Sequence, residues 1–311
     1  MRRRRFLAAS AALVPVAGCA VADRVRPSSS GTSTPAPERG RGDDAAWPSD
    51  VEPSPTVVVE EPTADVMEPT VDIAEPTTRP SVDPAGYPAA AGEWGENVTG
   101  VKTRMATDRR AVALTFDACG GSSGSGYDEA LIEFLLTEEV PATLFFNQRW
   151  IDANERTFDR LAQEELFGIA NHGTAHRPLS VEGKSAYGIT GTDSPASAID
   201  EVMTCQEAIR RRTGRSPAFF RSGTAYYDEV AVRIANDLGL EVVNYDVLGD
   251  AGATFTSTQV AEALGTARAG SIALLHMNHP GSGTARGVMA AVPELRARGF
   301  EFVRLGEYPL A

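Results

Sequence analysis

Four histidines occur in the 311 residues, His172, His176, His276 and His279, and each falls at or just beyond the end of a short apolar run. Imidazole both carries protons near neutral pH and ligates transition metals. His172 and His176 stand four apart in Asn171-His172-Gly173-Thr174-Ala175-His176. If that segment leaves a strand and begins a helical turn, both rings face one point and would hold a divalent cation, with zinc the first candidate. Asp117, Arg221 and Asp250 occupy comparable places after Thr115-Phe116, after Phe219-Phe220 and in Gly249-Asp250-Ala251-Gly252. A metal pair, a carboxylate and a separate histidine are the parts needed to hydrolyse an amide, which is a poor electrophile with a poor leaving group. Each residue alone has a plainer explanation. Asp117 could cap a turn before Gly120-Gly121, Arg221 could form a structural ion pair, and Asp250 could make an Asx turn with Asp246 as its rival. His279 suits a contact near the site better than a ligand.

The elements that must position these residues alternate. Apolar strands are expected at Ala111–Phe116, Pro141–Phe146, Leu166–Ala170, Phe219–Phe220, Leu240–Tyr245, Ser271–Leu275 and Phe300–Val303. Helices are expected between them, the first capped by Asp128 and later ones over Ser197–Arg212, Tyr227–Leu238 and Thr258–Ala267. This pattern predicts an α/β fold with a parallel sheet, open or closed into a barrel, over one domain of about 210 residues. In such folds the carboxyl ends of the strands form the active face. Five strand ends carrying ionisable groups are hard to explain as surface decoration.

Thr115-Phe116-Asp117, His172-Gly173-Thr174-Ala175-His176, Phe220-Arg221, the Asp250 region and Leu274-Leu275-His276 stand in the order and rough spacing of five motifs. Together they resemble the polysaccharide deacetylase family, carbohydrate esterase family four. The resemblance spans Arg110 to Leu305 and implies a distorted (β/α) barrel that hydrolyses N-acetyl groups of amino sugars with a divalent metal. It implies Asp117 as the general base for the attacking water, His172 and His176 as metal ligands, and Arg221 as the group holding the base ionised. It further implies His276 as the acid for the departing amine, oriented by Asp250.

One departure matters. The family usually has a second aspartate after the base, its third metal ligand, whereas this chain has Ala118 followed by Cys119-Gly120-Gly121. Asp-Ala-Cys-Gly-Gly looks like a recurring variant. The two histidines with waters are the preferred ligand set, and a third ligand would be Asp117, Asp128 or Cys119. If Cys119 ligates, it is withdrawn from the alternative of a disulfide with Cys205 in an oxidising compartment.

The first hundred residues read differently. Arg2–Arg5 and the apolar Phe6–Ala17 form an export signal with a twin-arginine-like run, too short to span a bilayer. Val16-Ala17-Gly18-Cys19 resembles a lipobox, making Cys19 the expected lipidation site and residues 1–19 the signal peptide. Residues 20–100 are expected to be a disordered linker. Asp43 to Glu96 holds thirteen Asp or Glu against the single basic residue Arg79, a net of −12, so nearly all of the formal charge of −13 belongs to this stretch. Prolines in Glu61-Pro62-Thr63, Glu68-Pro69-Thr70 and Glu75-Pro76-Thr77 forbid a coiled coil. The catalytic domain is placed at 101–311.

The expected protein is thus an exported N-deacetylase of a cell-wall or related glycan, peptidoglycan first, at the outer face of the cytoplasmic membrane, with secretion the alternative. It would touch the membrane through a lipid anchor only and act as a monomer. No basic patch suggests nucleic acid. A catalytically silent glycan-binding lipoprotein and an amidase acting on a non-sugar amide are the competing functions.

Overall fold

A computed structural model describes residues 81–311. The export signal, Cys19 and the repeat-bearing part of the expected linker lie outside the described residues. No helix among the described residues is long and apolar enough to cross a membrane.

The chain runs β1 (Ala111–Ala118), α1 (Glu129–Thr137), β2 (Ala142–Phe146), α2 (Gln148–Ala153), α3 (Glu155–Leu161) and β3 (Phe167–Asn171). A hairpin, β4 (Ser185–Ala186) and β5 (Ile189–Thr190), precedes α4 (Pro195–Thr213), β6 (Phe219–Phe220), α5 (Glu229–Asp237) and β7 (Glu241–Val242). Then come β8 (Val247–Leu248), α6 (Ser257–Gly265), β9 (Ser271–His276), α7 (Thr284–Ala297) and β10 (Glu301–Phe302). The strands form one sheet in the order β7-β6-β3-β2-β1-β9-β8, all parallel, with β10 beside the start of β1. The alternation predicts a parallel sheet, open or closed, and the arrangement is the distorted, incompletely closed (β/α) barrel that the family resemblance implies.

Strand periodicity sorts the core into two sides. On β1, Val112, Leu114, Phe116 and Ala118 join the cluster under the helices. Ala111 and Ala113 join the lumen cluster with Phe145, Ala170, Val243 and Ile272. Asp117 continues the lumen series at the carboxyl end of β1, in register with His276 on β9. One alternation therefore packs the barrel and aims the base and acid into the same mouth.

Asp128 caps α1, accepting from the Leu131 amide at 3.2 Å. Ser194 and Thr256 close capping boxes at α4 and α6, which fixes where two long crossovers start.

Part of the stretch assigned to the expected linker, within residues 81–100, packs on the domain. Gly95 and Tyr227 exchange two backbone hydrogen bonds, the Glu229 carboxylate accepts from the Gly92 and Glu93 amides, and Val98 is buried in a core cluster with Val202 and Ile234. The proline and acid content of this segment resembled a spacer, but the Gly92, Glu93 and Gly95 amides and the Val98 side chain have partners on the domain.

Candidate active site

The base comes first because its surroundings are the most constrained. Arg221, at the end of β6, is fully buried. Its Nη1 donates to Asp117 Oδ1 at 2.8 Å, Nε to the Val243 carbonyl at 3.0 Å and Nη2 to the Asn244 carbonyl at 3.2 Å. The guanidinium also lies 4.2 Å from the centre of the Phe145 ring. Burial alone would raise the Asp117 pKa, but His172, Arg221 and His276 outweigh it and hold the carboxyl below its ordinary range. Burial acts oppositely on His172 and lowers it to about 4, against the pull of Asp117. At neutral pH His172 is therefore neutral, and Arg221 is the charge that keeps Asp117 ionised.

The acid side uses a different device. Asp250 Oδ1 accepts from His276 Nδ1 at 2.8 Å, while Oδ2 accepts from the His276 amide at 2.7 Å and from Thr284 Oγ1 at 2.8 Å. With Nδ1 donating to Asp250, Nε2 is the nitrogen left to exchange a proton in the cleft. The rival, Asp246, is committed elsewhere: it pairs with Arg104 and accepts from Ser271 Oγ and the Ile272 amide. A small cleft lined by Asp117, His276, Tyr187, Tyr245, Leu248 and Leu274 joins the two sides.

His172 and His176 meet as expected, with rings 5.1 Å apart and nearly perpendicular. The means differs from expectation. Residues 172–178 form a loop of bends rather than a helical turn, and His176 has φ +60°. Gly173, at φ +79°, sits where a Cβ would lie 2.6 Å from Glu201 Oε1. Gly223 packs so closely on His176 that a Cβ would stand 2.4 Å from its backbone. Only left-handed backbone and a bare Cα let the second imidazole turn toward the first.

Cys119 completes the group. Its Sγ lies 3.7 Å from His172 Nε2, and one donor atom each from Cys119, His172 and His176 falls within 4.8 Å of the others. The set fits a transition metal on two observations. The Arg221 carbonyl occupies His172 Nδ1 at 3.0 Å, leaving Nε2 to present a lone pair. His176 Nε2 is buried without a hydrogen-bond partner. Thiolate plus two imidazoles with a fourth position open suits zinc better than magnesium or calcium.

Among the other candidates, Asp117 Oδ2 is 3.6 Å from His172 Nε2 but does not join the three-residue group. Asp128 is likewise outside it, engaged in capping α1. Cys119 and Cys205 form no disulfide. Cys205, on α4, donates to the Phe146 carbonyl at 3.3 Å, and burial pushes its thiol pKa up. Ala118 belongs to the helix-side cluster while Cys119 reaches the histidines, so the residue after the alanine supplies the extra donor. Of the three candidates for a third ligand, Cys119 is the one whose donor atom falls with those of the two histidines.

Three supporting residues carried no motif. Glu201, on α4 and almost fully buried, accepts from the Ala175 amide at 3.0 Å and the Arg177 amide at 3.2 Å, clamping the histidine loop. Asn147, at the start of α2, donates to the carbonyls of His172 and Gly173 at 2.9 and 2.8 Å. Glu96 reaches the phenols of Tyr187 and Tyr245 at 3.2 and 3.0 Å. The sequence signal for Asn147 was a helix cap after a strand; Glu201 and Glu96 gave none.

Residues 104–243 match the family model for polysaccharide deacetylase, a span that holds Asp117, His172, His176 and Arg221. Several solved structures share the fold. A family 4 carbohydrate esterase pseudoenzyme from Bacillus anthracis is 18% identical, with 67% of this chain and 68% of that one covered at a TM-score of 0.57. The Bc1960 peptidoglycan N-acetylglucosamine deacetylase is 21% identical over 68% and 92% of the two chains at 0.55. PdaA of Bacillus subtilis, a family 4 carbohydrate esterase, is 21% identical over 67% and 84% at 0.55. No curated protein matches the chain. The family model thus lies on the strands that carry the base, its arginine and both histidines, and over residues 104–243 the chain is similar to the polysaccharide deacetylase family.

Proposed function

We propose that this protein is a zinc-dependent N-deacetylase of a cell-wall glycan, peptidoglycan in the first instance. The observation that carries this reading is the pre-sorted pair at one mouth: Asp117 held by Arg221, and His276 held by Asp250. Binding alone needs no matched base and acid, whereas amide hydrolysis needs both. Cys119, His172 and His176 would hold the cation, which when bound supplies Lewis-acid activation of the acetyl carbonyl and of water. Asp117 Oδ2 accepts the proton of the attacking water, since Oδ1 is engaged by Arg221. His276 Nε2 delivers a proton to the departing amine as the carbon–nitrogen bond breaks. Asp250 steadies the imidazolium on its other nitrogen throughout.

The choice of peptidoglycan rests on the N-terminal export signal and lipobox, which would hold a monomer at the outer face of the cytoplasmic membrane. Acetate release from N-acetylated glycans, with and without chelator, tests the function. Chelator should abolish release, and Asp117→Asn should lower kcat by about 10²-fold or more while zinc content stays at the wild-type level. Release that persists without metal would refute the mechanism. Loss of zinc in Asp117→Asn would make Asp117 a ligand instead. Ala118 favours a second reading, a silent glycan binder, in which wild-type protein binds glycan but yields no acetate.

A further inference from the structure

The segment ahead of the barrel does more than cover it. Its backbone is pinned by Gly95 to Tyr227 and by Asn244 Nδ2, which donates to the Glu96 carbonyl at 2.6 Å. Two side chains, Trp94 and Glu96, are thereby joined to the tyrosines in and beside the cleft. Trp94 packs on Tyr226 with ring centres 5.8 Å apart, and Tyr226 meets Tyr187 edge-on at 5.4 Å. Tyr187 and Tyr245 line the cleft with Asp117 and His276, and both hydroxyls bond the Glu96 carboxylate. All four rings are only half-buried. A carboxylate accepts and cannot donate, so both phenols must spend their single proton on Glu96. Each phenol oxygen then has only lone pairs to offer a ligand. Burial, reinforced by Glu96, raises both phenol pKa values, so neither proton is lost at neutral pH.

We propose that Trp94 and Glu96 are specificity-determining residues, Trp94 extending an aromatic wall for a sugar ring and Glu96 turning Tyr187 and Tyr245 into acceptors that select donor-bearing sugars and reject anionic ones. The inference rests on the glycan reading of this same cleft but not on turnover. A sugar presents C–H groups to an aromatic face and hydroxyl donors at its edge, which is the complement of this wall. A ligand carboxylate at the same place would meet lone pairs backed by a negative charge.

Calorimetric titration of chitotetraose into the chelator-treated full chain reads binding apart from catalysis. Trp94→Ala should weaken affinity about tenfold, and Trp94→Leu, which keeps an apolar side chain but lacks a ring face, should do the same. Glu96→Gln should hold chitotetraose affinity within about twofold while erasing a roughly fivefold preference over an N-acetylmuramic-acid disaccharide with a free carboxylate. Unchanged affinity in Trp94→Leu at an unchanged melting temperature overturns the proposal. So does an unaltered preference in Glu96→Gln, or no binding by the wild-type chain. If the wild type shows the binding pattern but releases no acetate with zinc restored, the deacetylase reading fails and the specificity wall stands.

Discussion

The two halves of the candidate site solve the same problem, holding one ionisable group in a working state, by opposite means. On the base side a buried cation from β6 crosses the lumen to a carboxylate on β1, and both groups depend on long-range strand pairing. On the acid side the Asp250 carboxylate accepts from the backbone and side chain of His276 and from Thr284, a hydrogen-bonded network within one edge of the barrel. On the first side Arg221 is the cation in direct contact with the Asp117 carboxylate. The second side spreads its load over three donors, so losing one leaves the rest in place. Stability should therefore be far more sensitive on the base side, even though both sides serve one reaction.

The largest effect is expected for Arg221→Met, which strands Asp117 as an unpaired buried charge and should cost about 3–5 kcal/mol, read as a fall in denaturation midpoint. Asp250→Asn should instead spare most of the stability and lower kcat by about 10²–10⁴-fold, because the amide no longer favours the protonated imidazole. If Asp250→Asn proves as destabilising as Arg221→Met, the contrast between the sides is broken. Thr284→Val should be the mildest, about 1 kcal/mol and a few-fold in kcat, since two donors still hold the carboxylate. A loss in Thr284→Val rivaling Asp250→Asn would show that orientation by the hydroxyl, rather than charge, governs the acid.

Much of this site was legible because strand ends leave a plain mark: an apolar run stopping at one ionisable residue identifies Asp117, Arg221 and His276 without knowledge of the curvature. What escaped depends on backbone conformation or on distant chain. The histidine loop looked helical from its spacing, yet it closes through left-handed residues, which composition hints at only through Gly173. Asp246 and Asp250 are equivalent on paper and separate only when Arg104 arrives from before β1. Glu201 was one acid of an ordinary helix. Residues 82–98 carried the chemistry of a spacer, and nothing in their composition announced that Gly95 would pair with Tyr227 or that Glu229 would hold the Gly92 and Glu93 amides.

Arg221 also acts where β7 and β8 are not hydrogen-bonded neighbours, since its Nε and Nη2 take up the Val243 and Asn244 carbonyls that follow β7. One side chain thus ties the chain leaving β7, at the edge of the open seam, to the carboxylate on β1 and charges the base. An immature barrel, with its seam unlaced, would have a carboxyl free to pick up a proton and so no competent base. Hydrolytic power would then switch on only as the last part of the wall comes to rest, which makes the finished architecture its own safety catch.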